Sequence, residues 1–202
     1  MLSATLDKKS VRSFLGIDVV DKIVLFVGRF DENKNPKILL KAFDRVVNTI
    51  KHVHLILVGK GDYDSLFPSI TSYGKISFTG FLDLDSLHRI YSCADVGVIP
   101  SYYEEFGYVA VEMTMYGIPI IANRTSGLAE IIEDGISGDL LDLYDNKNED
   151  VSIELLANAI IHLLSDDIQR EKYSVNAHKQ YFQNYRIQTF KNTMLEIYNK
   201  LL

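Results

Sequence analysis

Apolar residues in this chain fall into short runs that alternate with stripes of helical period. Lys22-Ile23-Val24-Leu25-Phe26-Val27 has the length and the β-branched, aromatic character of a buried strand. The stretches His54 to Val58, Ile76 to Thr79, Val96 to Ile99 and Ile118 to Ala122 read the same way. Between them lie amphipathic segments. Pro36 to Lys51 places Leu39, Ala42, Phe43, Val46, Val47 and Ile50 on one helical stripe, with Asn35 as cap and Pro36 at the first helical position. Strand–helix alternation of this kind predicts a parallel sheet covered by helices on both faces. The expected fold is α/β: a Rossmann-like parallel sheet of about six strands.

From Val151 onward the pattern is helical only. Val151 to Leu164 is one helix. A longer helical region follows Asp167, and its last stretch carries Tyr185, Phe190, Met194, Ile197, Tyr198 and Leu201. The chain therefore reads as one domain, with a lead-in over 1–20, an α/β core over 21–145 and C-terminal helices over 151–202.

Composition narrows the function. At 202 residues, with 47% hydrophobic and 24% charged residues, the chain has the balance of a globular protein with one sizeable core. A formal charge of −6 argues against a nucleic-acid footprint, which needs clustered Lys and Arg. The single cysteine, Cys93, excludes an internal disulfide and sits in an apolar pattern suited to burial. Met1 to Ser13 lacks the features of a signal peptide, and no apolar run approaches the roughly 20 residues of a membrane span. A cytoplasmic location is the expectation.

In open parallel sheets, ligands bind beyond the carboxyl ends of the strands, so residues just after strands are the first candidates. Gly28-Arg29-Phe30-Asp31-Glu32-Asn33-Lys34 follows the first strand. Its two cations suit a pyrophosphate, Arg29 as a planar fork and Lys34 as a mobile charge; the alternative is two solvated loop charges. Gly59-Lys60-Gly61 permits a tight turn or close backbone approach, but no Walker loop follows. Gly80 follows the third strand, with Phe81 and Leu82 available to flank a flat base. The richest segment is Pro100 to Glu112, where a turn presents Glu104 and Glu105 before Phe106-Gly107 opens a helix whose free N–H groups can receive an anion. Carboxylates accept from vicinal hydroxyls, so Glu104 and Glu112 suit a sugar or a ribose; a capping charge and a surface position are the plain alternatives. Asp62-Tyr63-Asp64 and Asp83-Leu84-Asp85 look like metal-binding Asp-x-Asp pairs, yet both stand where helices are expected to begin, and capping is the simpler role. The five histidines show no metal-ligand spacing, and nothing suggests acyl transfer.

Taken in order, these segments resemble the C-terminal domain of family 4 retaining glycosyltransferases, the glycosyl transferases group 1 domain. The resemblance runs from Arg12-x-x-Leu15-Gly16-Ile17 through Val27-Gly28-Arg29 with Lys34, Val58-Gly59-x-Gly61 and Phe78-x-Gly80. It continues through Ala94-Asp95-Val96-x-Val98-x-Pro100-Ser101 to Glu104-x-Phe106-Gly107-x-x-x-x-Glu112. It closes with Gly117-x-Pro119, Ser126-Gly127-x-x-Glu130-Ile131-Ile132 and Gly135-x-x-Gly138.

The resemblance implies that Arg29 and Lys34 grip a donor diphosphate and that Glu104 faces the donor sugar. It further implies that Glu112 binds the ribose, that backbone from Phe106 to Tyr108 meets phosphate or sugar, and that Gly80, Phe81 and Leu82 meet the base. It implies a nucleotide-diphospho-sugar as partner, transfer with retention, no required metal or other cofactor, and a cell-surface polysaccharide or glycolipid pathway. Catalysis would be assigned to Arg29, Lys34 and Glu104 through charge stabilisation of the leaving group. Glu105 departs from the pattern, adding negative charge where glycine is usual; so does Ser126. Enzymes of the family have two Rossmann-like domains, and this chain matches only the second, so an N-terminal acceptor half on another polypeptide or lost by truncation is the expected partner, and any membrane contact would be made through it. The last helix would then pack on that half and otherwise expose an apolar patch. Competing readings are a degenerate binding module and a nucleotide-sugar epimerase fragment. A receiver-like domain is disfavoured because Gly28-Arg29, not a phosphoacceptor Asp, ends the first strand.

Overall fold

The computed structural model describes residues 8–145 and 148–201. Residues 1–7 of the expected lead-in, the side chain of Leu201 and all of Leu202 lie outside the described residues. Six strands, β1 (Lys22–Val27), β2 (Val53–Val58), β3 (Ile76–Gly80), β4 (Val96–Ile99), β5 (Ile120–Asn123) and β6 (Gly138–Leu141), form one parallel sheet in the order β3-β2-β1-β4-β5-β6. Five of these lie where the apolar runs predict them. The fifth starts two residues later than Ile118, with Pro119 reduced to lending its carbonyl to Gly97 N. The sixth has too short an apolar run, Leu140-Leu141, to show in the pattern.

The strands read as continuous apolar runs because both faces of the sheet are covered. Successive side chains alternate: Val24 and Phe26 enter one core, Ile23 and Leu25 the other. On the first face lie α2 (Pro36–Thr49) and α6 (Glu149–Ser165), with Leu39 and Phe43 meeting the cluster that holds Leu156 and Ile160. On the second lie α1 (Lys8–Phe14), α3 (Leu84–Cys93), α4 (Tyr108–Met115) and α5 (Ser126–Ile131), with Cys93 fully buried among them. Then α7 (Asp167–Gln180) passes β6, where Tyr173 donates to Asp139 Oδ1 at 2.6 Å, and reaches α4. A π turn (Tyr181–Tyr185) and extended Arg186 separate it from α8 (Ile187–Leu201).

Caps set the helix starts. Asn35 adopts the left-handed conformation that Asn tolerates (φ 43°), and its side chain accepts from Ile38 N ahead of Pro36. Asp83 caps α3 by accepting from Ser86 N at 2.8 Å. Asp62 makes the same bond to Ser65 N, but no α-helix follows; the chain makes only a 3-10 turn at Phe67–Ser69, where Pro68 removes a donor.

Two clamps hold the sheet's lower rim. Arg12, almost fully buried, donates to the Asp21 carbonyl, to Asp18 O at 3.3 Å and to Asp95 Oδ2 at 3.3 Å, while Asp95 also accepts from Ile23 N at 2.7 Å. Arg12 and Asp95 are therefore a structural pair, not ligand contacts. On the other side Asp167 accepts from Lys22 Nζ at 2.7 Å and from Arg170 at 2.6 Å. These two cations pull its carboxyl down to about 2 from an ordinary 3.8. A lowered carboxylate contributes stability that is complete above the unfolded value and fades as pH falls towards the folded one. The stability difference between the native chain and Asp167→Asn, followed by denaturant titration, should thus be constant above about pH 5 and narrow steadily below pH 4.

Candidate active site at the β1–β4 crevice

The sheet order reverses between β1 and β4, and the loops that follow these strands open a crevice there. The β1 loop is wound by Asp31, whose carboxylate accepts from Lys34 N at 2.9 Å and whose carbonyl accepts from Asn35 N at 3.0 Å. Asn33 ties it to the β4 loop: its carbonyl accepts from Tyr102 N at 2.8 Å, and its amide bonds Tyr103 in both directions. Tyr144 fastens the same seam from beneath, donating to Pro100 O, accepting from Asn35 Nδ2 and stacking on Tyr102.

This clasp brings Lys34 to Glu104. Glu104 Oε1 accepts from the Lys34 ammonium and from Ser101 Oγ at 2.9 Å, and both charged side chains are mostly buried. They line a cleft of about 510 Å³ with Asn33, Tyr103, Phe106, Gly107 and Tyr108. The floor of this cleft is the start of α4. Gly107, at φ 90°, stands at its N-cap and can offer no side-chain oxygen to the first N–H groups of α4, those of Tyr108 and Val109, two residues that line the cleft. A cation beside a helix N-terminus is an arrangement that receives anionic oxygens, and a carboxylate held by Lys34 and Ser101 presents acceptor lone pairs to hydroxyls.

The turn carrying Glu104 is held by close approach. Gly127, the second residue of α5, donates to Glu104 O at 3.3 Å, and a Cβ there would lie 2.6 Å from Glu104 O and 2.5 Å from Glu105 O. Glycine is required at 127, whereas Ser126, the neighbouring departure from the family pattern, opens α5 after its Thr125 cap. Gly59 serves a similar purpose, since a Cβ would fall 1.8 Å from Gly28 O. The Gly-x-Gly after β2 is therefore packed against the β1 loop, and Gly61 bridges to Phe30.

Of the other candidates, Glu105, Phe106 and Tyr108 line this cleft, whereas Arg29, Gly80, Phe81, Leu82 and Glu112 lie outside its lining. Arg29 is exposed and pairs with Asp31 Oδ2 at 3.1 Å rather than joining Lys34 and Glu104. Glu105 is exposed, so its extra charge is screened by solvent. Phe106 and Tyr108 are exposed and in ring contact with each other. Beyond β3, Gly80 has φ 73°, Phe81 is exposed under the Lys60 ammonium, and Leu82 is half-buried. Glu112, in the middle of α4, accepts from the Tyr91 hydroxyl at 2.7 Å. Pattern reading missed Ser101 and Tyr91, which bond Glu104 and Glu112, and Asn33, which joins the two loops. Tyr91 lies inside an apolar run and looks like core, and only the fold aims its hydroxyl at Glu112.

An α/β domain whose polar, cation-bearing cleft lies at the topological switch point of a parallel sheet is a doubly wound fold. The glycosyl transferases group 1 pattern matches residues 7–180, and the chain belongs to that family. An uncharacterized glycosyltransferase of Methanocaldococcus jannaschii is 31% identical over 196 residues, which cover 95% of this chain and 48% of that protein. The chain thus spans about half the length of this relative, and its match covers 32% of a D-inositol 3-phosphate glycosyltransferase of Segniliparus rotundus. Among solved structures, Anabaena HepE in complex with UDP and glucose superposes with a TM-score of 0.81 at 24% identity, over 98% of this chain and 53% of that one. The C-terminal domain of LpcC, a glycosyl transferase group 1 family protein of Francisella tularensis, superposes with a TM-score of 0.75 at 22% identity, over 90% of this chain and 94% of that domain. At these identities the two structures speak for the fold, a GT-B one. Among the described residues no helix is long and apolar enough to cross a membrane.

Two substitutions test this geometry. Lys34→Met, which strands a mostly buried carboxylate, should lower stability by about 1–3 kcal/mol, and adding Glu104→Gln should restore part of it. Simple additivity in denaturant titrations would show the two groups uncoupled. Gly127→Ala should cost about 1–3 kcal/mol, because rigid backbone rather than a flexible side chain must give way.

Proposed function

We propose that this chain binds a nucleoside-diphosphate sugar in the β1–β4 crevice and is the donor half of a retaining, family 4 glycosyltransferase. The observation that carries the reading is Lys34 meeting Glu104 beside the uncapped start of α4, at the sheet's switch point. That HepE is seen with UDP and with UDP-glucose supports a nucleotide ligand for the fold. Lys34, the α4 N–H groups and Arg29, once it leaves Asp31, would hold the diphosphate. Glu104 would accept from hydroxyls of the sugar, Glu112 from the ribose diol, and the stretch Gly80 to Leu82 would flank the base.

Departure of the nucleoside diphosphate concentrates negative charge on its β-phosphate. Lys34, Arg29 and the helix dipole stabilise that charge without proton transfer to the leaving group, and no metal is needed in this scheme. Catalysis is assigned to Arg29, Lys34 and Glu104 together with an acceptor half that lies outside this chain, on the same polypeptide or another. The apolar side chains Phe190, Leu195, Ile197 and Tyr198 of α8 are exposed, which suits burial against that half. Synthesis of a cell-surface polysaccharide or glycolipid in the cytoplasm is the setting proposed.

Calorimetric titration with UDP-, GDP- and ADP-sugars should find one nucleotide that binds. Arg29→Ala/Lys34→Ala should weaken it at least about tenfold, since two charge-assisted contacts to phosphate are removed. A folded chain that binds none of them, or a double variant that binds as the native chain does, would sink the reading.

A further inference from the structure

The carboxylate of Glu112 has one hydrogen-bond partner among the described residues, the Tyr91 hydroxyl, 2.7 Å from Oε2. The two groups come from neighbouring helices, α3 and α4, and differ sharply in surroundings. Tyr91 is 1% exposed, whereas Glu112 is half-buried. The phenol ring cannot swing away: it stacks on Tyr116, with centroids 5.4 Å apart and planes 22° from parallel, and Tyr116 in turn lies 5.7 Å from the His88 ring.

A phenol so placed acts as a donor only. Burial, and then the neighbouring Glu112 carboxylate, push its ionisation well above the ordinary tyrosine value, so the proton stays on the oxygen across the working pH range. An ionised carboxylate offers about four lone-pair directions on two oxygens. Occupying one oxygen from a fixed, buried donor removes the carboxylate's freedom to rotate and leaves the second oxygen in one orientation. A ribose presents two adjacent hydroxyls at a set spacing, and recognition of such a diol depends on acceptor orientation as well as on charge.

We infer that Tyr91 is a positioning residue that orients Glu112 for the vicinal hydroxyls of a ribonucleotide, and so sets the domain's preference for ribose over deoxyribose. The inference rests on the donor-site reading above and adds a residue that touches no ligand itself.

The test compares UDP, ADP and GDP, each beside its 2′,3′-dideoxy counterpart, by calorimetry on the native chain and on Tyr91→Phe. The substitution keeps the ring and its stacking and removes only the hydroxyl. The native chain should bind one ribonucleotide about tenfold more tightly than its dideoxy form. In Tyr91→Phe that ratio should fall to about threefold or less, with the affinity for the dideoxy nucleotide unchanged. Glu112→Ala should abolish the ratio in both backgrounds. A general packing defect would weaken both nucleotides equally and keep the ratio, and that result would overturn the positioning role. So would a native chain that binds the two forms alike. Failure of the native chain to bind any of the nucleotides would overturn the donor-site reading itself, and the inference with it.

Discussion

The parallel pairing of β1 with β4 is the constraint on which the rest of this structure depends. Val24 and Leu25 of β1 stand opposite Val96 and Gly97 of β4. The connections run outward from this pair in opposite directions, to β2 and β3 on one side and to β5 and β6 on the other. Right-handed crossovers then place α2 and α3 on opposite faces, and the loops after the two central strands are left side by side. Two polar loops meet at that junction. Their backbones must be satisfied there, and Asn33 does so by bonding the Tyr102–Tyr103 backbone across the seam.

That seam turns two loop charges into a site. Lys34 on the β1 side and Glu104 on the β4 side are 70 residues apart in sequence, and each would be an ordinary solvated charge on a separate surface. Held together and mostly out of water, they interact through a lower effective dielectric than surface pairs do. The pair is neutral as a unit, and Ser101 gives Glu104 a second donor at 2.9 Å. Arg29 is stationed differently, in solvent on Asp31.

Much of the fold was legible because the signals were local. Apolar runs of strand length, Asn35 with Pro36, and the acidic cap before α3 each act within a few residues. Where reading failed, a short apolar run or a proline intervened: β6 offers only Leu140-Leu141, Asp62 caps no α-helix because Pro68 follows, and Pro119 delays β5. The exposed apolar face expected of the last helix is present in α8, although Tyr185, grouped with it by pattern, instead bonds Glu130 O and packs near Phe106.

By itself the sequence determined the layered α/β architecture, the cap positions and the short set of charged residues that follow strands, since these depend on periodicity and on chemistry within a turn. Only the tertiary structure decided which of them meet. It separated Arg29 from Lys34, joined Lys34 to Glu104, made Arg12 and Asp95 a clamp at the far rim, and gave Glu112 the buried partner Tyr91. The reason is physical. A hydrogen bond or ion pair requires atoms within about 3 Å, and for residues tens of positions apart that distance is set by strand order and helix packing, which no local pattern encodes.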